Sequence, residues 1–179
     1  MKHLRLLLSL LLIFVTSTPV RAEDKASLEY SIKAVVLFNF AKYVHWPEKV
    51  FTSAQQPIQV CIAGKSPVAD KLNSSEAPTE AQGRPFAFKE ILLTRIKEDA
   101  PTCQILYWNK SENSVIEPML PALHQAHVLT VADSELDKSI ITFTIEEGKI
   151  RFKIRRKEAE KAGLELGSQL LKLAILDDN

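Results

Sequence analysis

Short apolar runs alternate with helical segments through the middle of this 179-residue chain, and no other feature constrains the fold as strongly. Runs rich in β-branched and aromatic residues predict strands at residues 57–64, 84–91, 103–109 and 127–133. Helical patterns lie between them at residues 66–74 and 114–125, and Pro118 and Pro121 should bend or interrupt the second helix. This alternation favours a mostly parallel sheet with helices on both faces.

The pattern changes in the last third of the chain. Two alternating runs flank a Glu-Glu-Gly-Lys turn in residues 139–155, which predicts a β-hairpin. A short helix should follow at residues 156–163 with Gly163 as its C-cap, and residues 168–176 should form a helix or a final strand. The one linker-like stretch, residues 73–83, is short enough to be a surface loop. We therefore expect a single mixed α/β domain with a C-terminal β-hairpin.

One long helix should precede the sheet, over residues 27–46, with Ser27 as its N-cap and Pro47 ending it at or just before Trp46. Apolar residues recur along it at spacings of three and four, namely Leu28, Ile32, Val35, Val36, Phe40, Tyr43 and Val44. Further apolar residues widen this stripe, so we expect the helix to be buried on most sides. Only its end, at Trp46 and Pro47, should reach the surface.

The first 22 residues have the features of a secretory signal peptide. A basic start precedes an apolar stretch over residues 6–15, and small residues flank Arg21 before a predicted cut after Ala22, which leaves a domain of residues 23–179. The alternative is a retained signal anchor, but about ten apolar residues are too few to span a bilayer. No cysteine follows the stretch to mark a lipoprotein. We expect an exported periplasmic protein that is soluble after cleavage, since no later segment is long and apolar enough to cross a membrane.

The net charge and the cysteine content bear on what the protein binds and on whether it contains a disulfide. The formal net charge is +1, and loss of the three positive charges of Lys2, Arg5 and Arg21 leaves −2, which gives no support for nucleic-acid binding. The two cysteines, Cys61 and Cys103, suggest one disulfide in an oxidising compartment, and two buried free thiols are the alternative. A closed loop of about 42 residues makes such a bridge worth on the order of 4 kcal/mol.

Motifs for phosphate or metal binding are incomplete. Residues 64–66 are Gly-Lys-Ser, but Gln59 stands where a phosphate loop needs its first glycine, so a turn into the next helix is the better interpretation. His124 and His127 are three residues apart, yet His127 should start a strand and no third metal ligand is near in sequence. His45, at the predicted helix end, is suited to complementing the helix dipole.

No combination of residues argues for an enzyme. A Gly-x-Ser-x-Gly motif is missing, and a Cys–His pair would need the cysteines of the expected disulfide. Asp133 ends a predicted strand, where open α/β sheets place ligand-binding groups; the simpler interpretation is that it or Ser134 caps the next turn. The sequence thus favours a binding or regulatory protein. If it binds a small molecule, the ligand should lie near Gly64, Asn109 and Asp133.

Three segments, taken in order, resemble the periplasmic YfiR family. They are the helix ending in Trp-Pro, "KAVVLFNFAKYVHWP", the strands "IQVCIAG" and "CQILYW" with a cysteine each, and the C-terminal "GKIRFKIRRKEAEKAGLELGSQLLKLA". The resemblance spans nearly the whole expected mature chain. It implies that residues 23–179 form a YfiR-like α/β domain without enzymatic activity, cofactor or metal, and with Cys61 and Cys103 as the family's cysteine pair.

The resemblance also implies partners. YfiR proteins repress an inner-membrane diguanylate cyclase by binding its periplasmic sensor part, which lowers cyclic-di-GMP synthesis and biofilm formation. An outer-membrane, peptidoglycan-associated lipoprotein can sequester them, and homodimers are common. The alternative function is a periplasmic small-molecule binding protein that feeds a membrane sensor. Exposed apolar side chains would be the natural contacts. Our candidates are Trp46, Phe152, Leu164 and Leu166, and for the last three a place in the core is the alternative.

This chain departs from the family pattern in the C-terminal region. Lys138 and Ser139 stand where members often have Gly-Gly, Arg155 stands where they have asparagine, and Gly167 replaces a serine. Turn and hairpin surfaces can set specificity, so these departures bear on which partner is bound.

Overall fold

The computed structural model describes residues 20–74, 77–136 and 138–177, with side chains described from Lys25 onward. The predicted signal peptide lies almost wholly outside this part of the chain, so its cleavage stays a prediction. Among the described residues, no helix has both the length and the apolar character needed to cross a membrane.

Eight strands form the main sheet: β2 (Ile58–Ala63), β3 (Glu80–Ala81), β4 (Arg84–Ile91), β5 (Ile105–Asn109), β6 (Leu129–Asp133), β7 (Ile141–Glu146), β8 (Lys149–Arg155) and β10 (Ile175–Asp177). Their order across the sheet is β10-β8-β7-β6-β5-β2-β4-β3. Strands β4, β2, β5, β6 and β7 run parallel to one another. Strand β3 is antiparallel to β4, and β8 is antiparallel to β7 but parallel to β10. The mostly parallel sheet and the C-terminal hairpin, β7–β8, are thereby confirmed.

Within the described residues there are also seven α-helices, five single-turn 3-10 helices and a two-stranded ribbon. The α-helices are α1 (Val20–Tyr43), α2 (Pro67–Leu72), α3 (Ile96–Asp99), α4 (Asn113–Ile116), α5 (Leu120–Gln125), α6 (Arg156–Lys161) and α7 (Ser168–Leu173). The ribbon pairs β1 (Val44–His45) with β9 (Glu165–Leu166) in antiparallel fashion. The last segment is both a helix and a strand, since α7 leads directly to β10.

Alternating residues on the central strands supply two cores, one on each face of the sheet. Val60 and Ile62 of β2 face a core shared with α1, α2 and the C-terminal helices. Cys61 and Ala63 of the same strand face a second core shared with α3, α4 and α5. A strand covered on both faces is apolar at nearly every position, which explains the continuous apolar runs in the sequence.

Both predicted ends of the long helix are wrong by several residues. Helix α1 already runs from Val20, because residues 20–26 contain no proline or glycine to stop it, so Ser27 lies inside the helix. It ends at Tyr43, and Val44 and His45 leave it to pair with β9. The local helical pattern therefore yields to a tertiary strand pairing that is not visible from periodicity.

The prediction that α1 is buried on most sides is also wrong. Its buried face carries Ala34, Leu37, Phe40 and Ala41, together with the charged Lys33. The opposite face leaves Leu28 61%, Ile32 38% and Val35 60% exposed. The helix is thus rotated relative to the predicted stripe, and an apolar ridge faces outward.

Candidate functional site

A buried polar cluster joins α1 to the carboxyl end of the sheet. The Lys33 ammonium lies 2.8 Å from each oxygen of the Asp133 carboxylate and 2.5 Å from a Glu29 oxygen one turn earlier on α1. The Tyr107 hydroxyl donates a second hydrogen bond of 2.8 Å to Asp133. Only 5% of the Lys33 side chain is exposed, so the two carboxylates neutralise a charge that has almost no access to water.

The surroundings of Lys33 and Tyr107 shift the pKa of both side chains upward. Burial by itself lowers the pKa of Lys33, but the hydrogen bonds and charges of Asp133 and Glu29 outweigh it, and the net shift is upward. Burial, and then the negative charge of Asp133, raise the pKa of Tyr107 well above its usual range. At neutral pH the cluster therefore holds a charged lysine and a neutral tyrosine.

The structure brings Gly64, Asn109 and Asp133 to one edge of the sheet, as predicted for a ligand site, but the polar side chains there are bonded to other parts of the protein. Asn109 and Asp133 are register partners on β5 and β6, and Gly64 follows the neighbouring strand β2. The Asn109 amide donates to the Lys65 carbonyl, and its oxygen accepts from Ser66. Beside Lys33 and Asp133 lies an open pocket of about 400 Å³. A ligand held by Asp133 would have to displace Lys33 or Tyr107, so the small-molecule alternative stays an untested prediction.

The outward face of α1 carries an apolar ridge, which we define as Leu28, Ile32 and Val35. Their spacings of four and three residues align them along one side of the helix over about 10 Å. Next to the ridge, α1 and α2 enclose a groove of about 350 Å³. Its apolar lining comes from Ala34, Val35, Phe38, Leu72, Ala77 and Pro78. A ridge beside a groove is the surface shape that an apolar helix of a partner can pack against.

The structure joins Cys61 to Cys103 in a disulfide with a Cα–Cα distance of 5.9 Å. Cys61 lies on the central strand β2, and Cys103 lies just before β5. Both are buried in the second core, so the bridge links two neighbouring parallel strands from inside. This agrees with the disulfide expected from the sequence.

Most of the predicted partner contacts lie in the core. Trp46, Phe152 and Leu164 are each less than a tenth exposed, and Leu166 on β9 is half-buried. The expectation that Trp46 reaches the surface is wrong, because its side chain belongs to the first core. A partner-binding role for these residues remains a prediction, and in this conformation they offer little surface for one.

The three histidines among the described residues each make their own contact with the fold. His45 lies on β1 and makes a 2.9 Å hydrogen bond with the Gln82 side chain. His127 does not start a strand but occupies the turn before β6 with φ of 60°, and its Nδ1 donates to the Ala162 carbonyl at 2.6 Å. His124 bonds Thr130 instead. In the part of the chain described here, no group of three or more His, Cys, Asp or Glu residues is arranged to hold a metal ion.

Two departures from the family pattern have structural meaning. Lys138 adopts φ of 68°, a left-handed conformation that a glycine adopts without cost. The Gly167 amide donates to the Tyr43 carbonyl at 2.8 Å, and a Cβ on Gly167 would lie 2.8 Å from the same oxygen. Glycine at residue 167 thus permits a close approach of backbone to α1, which a serine would obstruct.

The comparisons with known proteins agree with these features. A family model described as YfiR/HmsC-like matches residues 30–175. The chain belongs to the YfiR/HmsC-like family. This family consists of periplasmic, regulatory and non-catalytic proteins of cyclic-di-GMP signalling. The match begins inside α1 and ends in β10, so the ridge, the buried cluster and the disulfide all lie within the family's domain or at its margin.

Other comparisons add little. No curated protein matches the chain. Among solved structures it is similar to a conserved domain protein from Vibrio cholerae O1 biovar El Tor str. N16961, with 14% identity and a TM-score of 0.47. That similarity covers 66% of this chain and 54% of the other, so the chain spans about half the length of the solved relative.

Proposed function

We propose that this protein represses an inner-membrane diguanylate cyclase by binding the cyclase's periplasmic sensor region. The family match over residues 30–175 carries the proposal, since the family regulates cyclic-di-GMP signalling without catalysis. A binding protein represses by favouring one conformation of its target, and it shifts the equilibrium only by its difference in affinity for the two states. Repression therefore needs a surface that recognises the inactive sensor better than the active one.

The α1 ridge and the adjoining groove are our candidate for that surface. Apolar side chains aligned on one helix are costly to leave in water, and nothing within the described residues covers them. An amphipathic helix of the sensor region, with apolar residues at spacings of three and four, would bury the ridge and enter the groove. Lys71 lines the groove and places a positive charge at its rim, which favours an acidic residue on the partner.

Deletion of the gene tests the function. We expect cyclic-di-GMP and biofilm mass to rise in the deletion strain and to return to the original level when the wild-type gene is restored. Chemical crosslinking in the periplasm should then join the protein to a membrane protein that carries a GGDEF domain. Unchanged cyclic-di-GMP, together with no such crosslinked partner, would refute the repressor function.

A pair of substitutions tests the surface. Val35→Glu places a charge on the ridge, whereas Leu92→Glu places one at a similarly exposed apolar residue in the loop after β4. Loss of a central contact that costs 1 kcal/mol or more weakens binding about fivefold or more, and we expect Val35→Glu to have an effect of this size. Complementation by Leu92→Glu should match the wild type, and complementation by Val35→Glu should leave cyclic-di-GMP high. Equal repression by both variants would place the partner elsewhere.

The remaining parts of the proposal concern export and assembly. Cleavage after Ala22 should place the chain in the periplasm, which N-terminal sequencing of the exported protein would check. Sequestration by an outer-membrane, peptidoglycan-associated lipoprotein predicts that its overproduction raises cyclic-di-GMP only when the repressor gene is present. A homodimer should appear as twice the chain mass in light scattering.

A further inference from the structure

His124 is a buried histidine that the proposed repressor function does not use. It lies on α5 at 6% exposure, and its Nε2 is 3.2 Å from the hydroxyl oxygen of Thr130 on β6. The same hydroxyl oxygen accepts the Ile140 amide at 2.9 Å. The arrangement that satisfies every group has the Thr130 hydroxyl donating to an unprotonated Nε2, with the ring hydrogen on Nδ1. In that tautomer Nδ1 faces the Glu158 carboxylate of α6 at 3.6 Å.

The neutral imidazole is the form that this environment favours. Burial lowers the pKa of His124 below its ordinary value, Glu158 opposes the shift in part, and Lys161 adds to it. The charged groups around the ring are Glu158 and Lys161 on α6 and Lys138 before β7, whereas β6 presents the uncharged Thr130. A protonated Nε2 would have to donate to Thr130, which would leave the hydroxyl hydrogen without an acceptor at a fully buried residue.

Helix α6 is held at both ends by the α5–β6 connection. Its first turn faces His124 through Glu158, and the carbonyl of Ala162, just after the helix, accepts the bond from His127. A cavity of about 430 Å³ separates α5 from α6 beside His124, so water has room to enter when the contact loosens. Beyond α6, strand β9 pairs with β1 at the end of α1. Residues 162–164 connect α6 to β9, so β9 is the link through which a change in the position of α6 would reach the end of α1.

We propose that His124 is an acid-sensitive latch: its protonation weakens the attachment of α6 to α5 and β6 when the medium around the protein becomes acidic. The direction follows from linkage. A histidine that is kept neutral in the folded state contributes stability above its ordinary pKa, and that contribution is lost as the pH falls through the lowered value. Members of this family are periplasmic and so lie outside the inner membrane. The latch would therefore respond to the pH outside that membrane and not to the pH of the cytoplasm.

Linkage also limits the size of the effect. A single proton that binds only the open form can raise the opening equilibrium of α6 by at most about thirtyfold at pH 5, since this is about 1.5 units below the ordinary histidine pKa of about 6.5. Hydrogen exchange measures that equilibrium at the amides of Ala162 and Leu164, which donate to the α6 carbonyls of Glu158 and Ala159. Amides of β5 serve as an internal reference, because they lie in the centre of the sheet.

The experiment compares the wild type with His124→Gln and His45→Gln at pH 7.5 and pH 5, after correction for intrinsic exchange. We expect exchange in α6, relative to β5, to rise between threefold and thirtyfold on acidification in the wild type and in His45→Gln, whose histidine is exposed. In His124→Gln the ratio should not change with pH. A wild-type ratio that is independent of pH, or an equal rise in His124→Gln, would overturn the proposal.

A second measurement covers the case in which His124→Gln does not fold. The imidazole resonances of the wild-type protein are followed by NMR from pH 8 to pH 4.5. The resonance of His124 should titrate below the ordinary histidine value and together with the amide resonances of α6. Titration of His124 at or above that value, or α6 resonances that do not follow it, would overturn the latch independently of any variant.

Discussion

The contact between Lys33 and Asp133 is the point at which a single substitution should cost most. Asp133→Asn keeps the shape of the side chain and a partner for Tyr107, but it removes the charge that lies 2.8 Å from the buried ammonium. Breaking a buried ion pair typically costs 3–5 kcal/mol. Glu29 remains beside Lys33, but its side chain is 30% exposed and shares its charge with solvent. We therefore expect a loss near the lower limit, about 3 kcal/mol.

The assay is urea unfolding followed by circular dichroism at pH 7.5, with the slope of the transition checked for change. Glu135→Gln is the matched control, because it removes a carboxylate of the same pocket that pairs with Lys153 in exposed surroundings, and it should cost under about 1 kcal/mol. Replacing both partners, Lys33→Met with Asp133→Asn, should restore most of the loss, since no unpaired charge stays buried. A cost below about 1 kcal/mol for Asp133→Asn, or additive single losses in the double variant, would refute the reasoning.

Further predictions concern covalent and backbone constraints. Removal of the disulfide by Cys61→Ala with Cys103→Ala should cost about 4 kcal/mol, measured against the oxidised wild type in urea. Because the pKa of Tyr107 is raised in the folded state, its contribution to stability is fully present below about pH 10 and is lost as the pH rises further. Unfolding curves at alkaline pH would check this, and a free energy of unfolding that stays constant to about pH 11 would contradict it. Lys138→Gly should stabilise by up to about 1 kcal/mol because it relieves a left-handed backbone, whereas Gly167→Ser should destabilise by about 1–3 kcal/mol because its Cβ meets the Tyr43 carbonyl. Thermal melting distinguishes these two variants by the sign of the shift.

The strands were predictable because their signal is local. The four central strands lie within two residues of their predicted bounds, and the hairpin and the helix capped by Gly163 were also predicted correctly. Strands buried on both faces are marked by their composition alone, and turns by their glycines. The parallel arrangement follows from the alternation with helices, so the fold class did not depend on any long-range contact.

The orientation of α1 could not be predicted in the same way. A prediction from periodicity takes the most apolar face of a helix as the buried one, so it does not choose the face of α1 that carries the charged Lys33. The structure buries that face, and Asp133, one hundred residues later, pairs with the ammonium. The only local sign was Glu29, one turn before Lys33, which is equally consistent with a surface pair. The polar cluster and the exposed ridge were therefore missed together, since each follows from the same rotation of the helix.

The orientation of α1 connects the stability of the protein to its proposed binding surface. The face of α1 that carries Lys33 and Phe40 turns inward, and the opposite face leaves Leu28, Ile32 and Val35 exposed. A change at Val35 should then weaken repression without lowering stability, because its side chain contacts mainly solvent. A change at Asp133 should lower stability, because it removes a carboxylate partner of the buried Lys33 ammonium. The buried face with Lys33 and the exposed ridge are thus two results of one orientation of the helix.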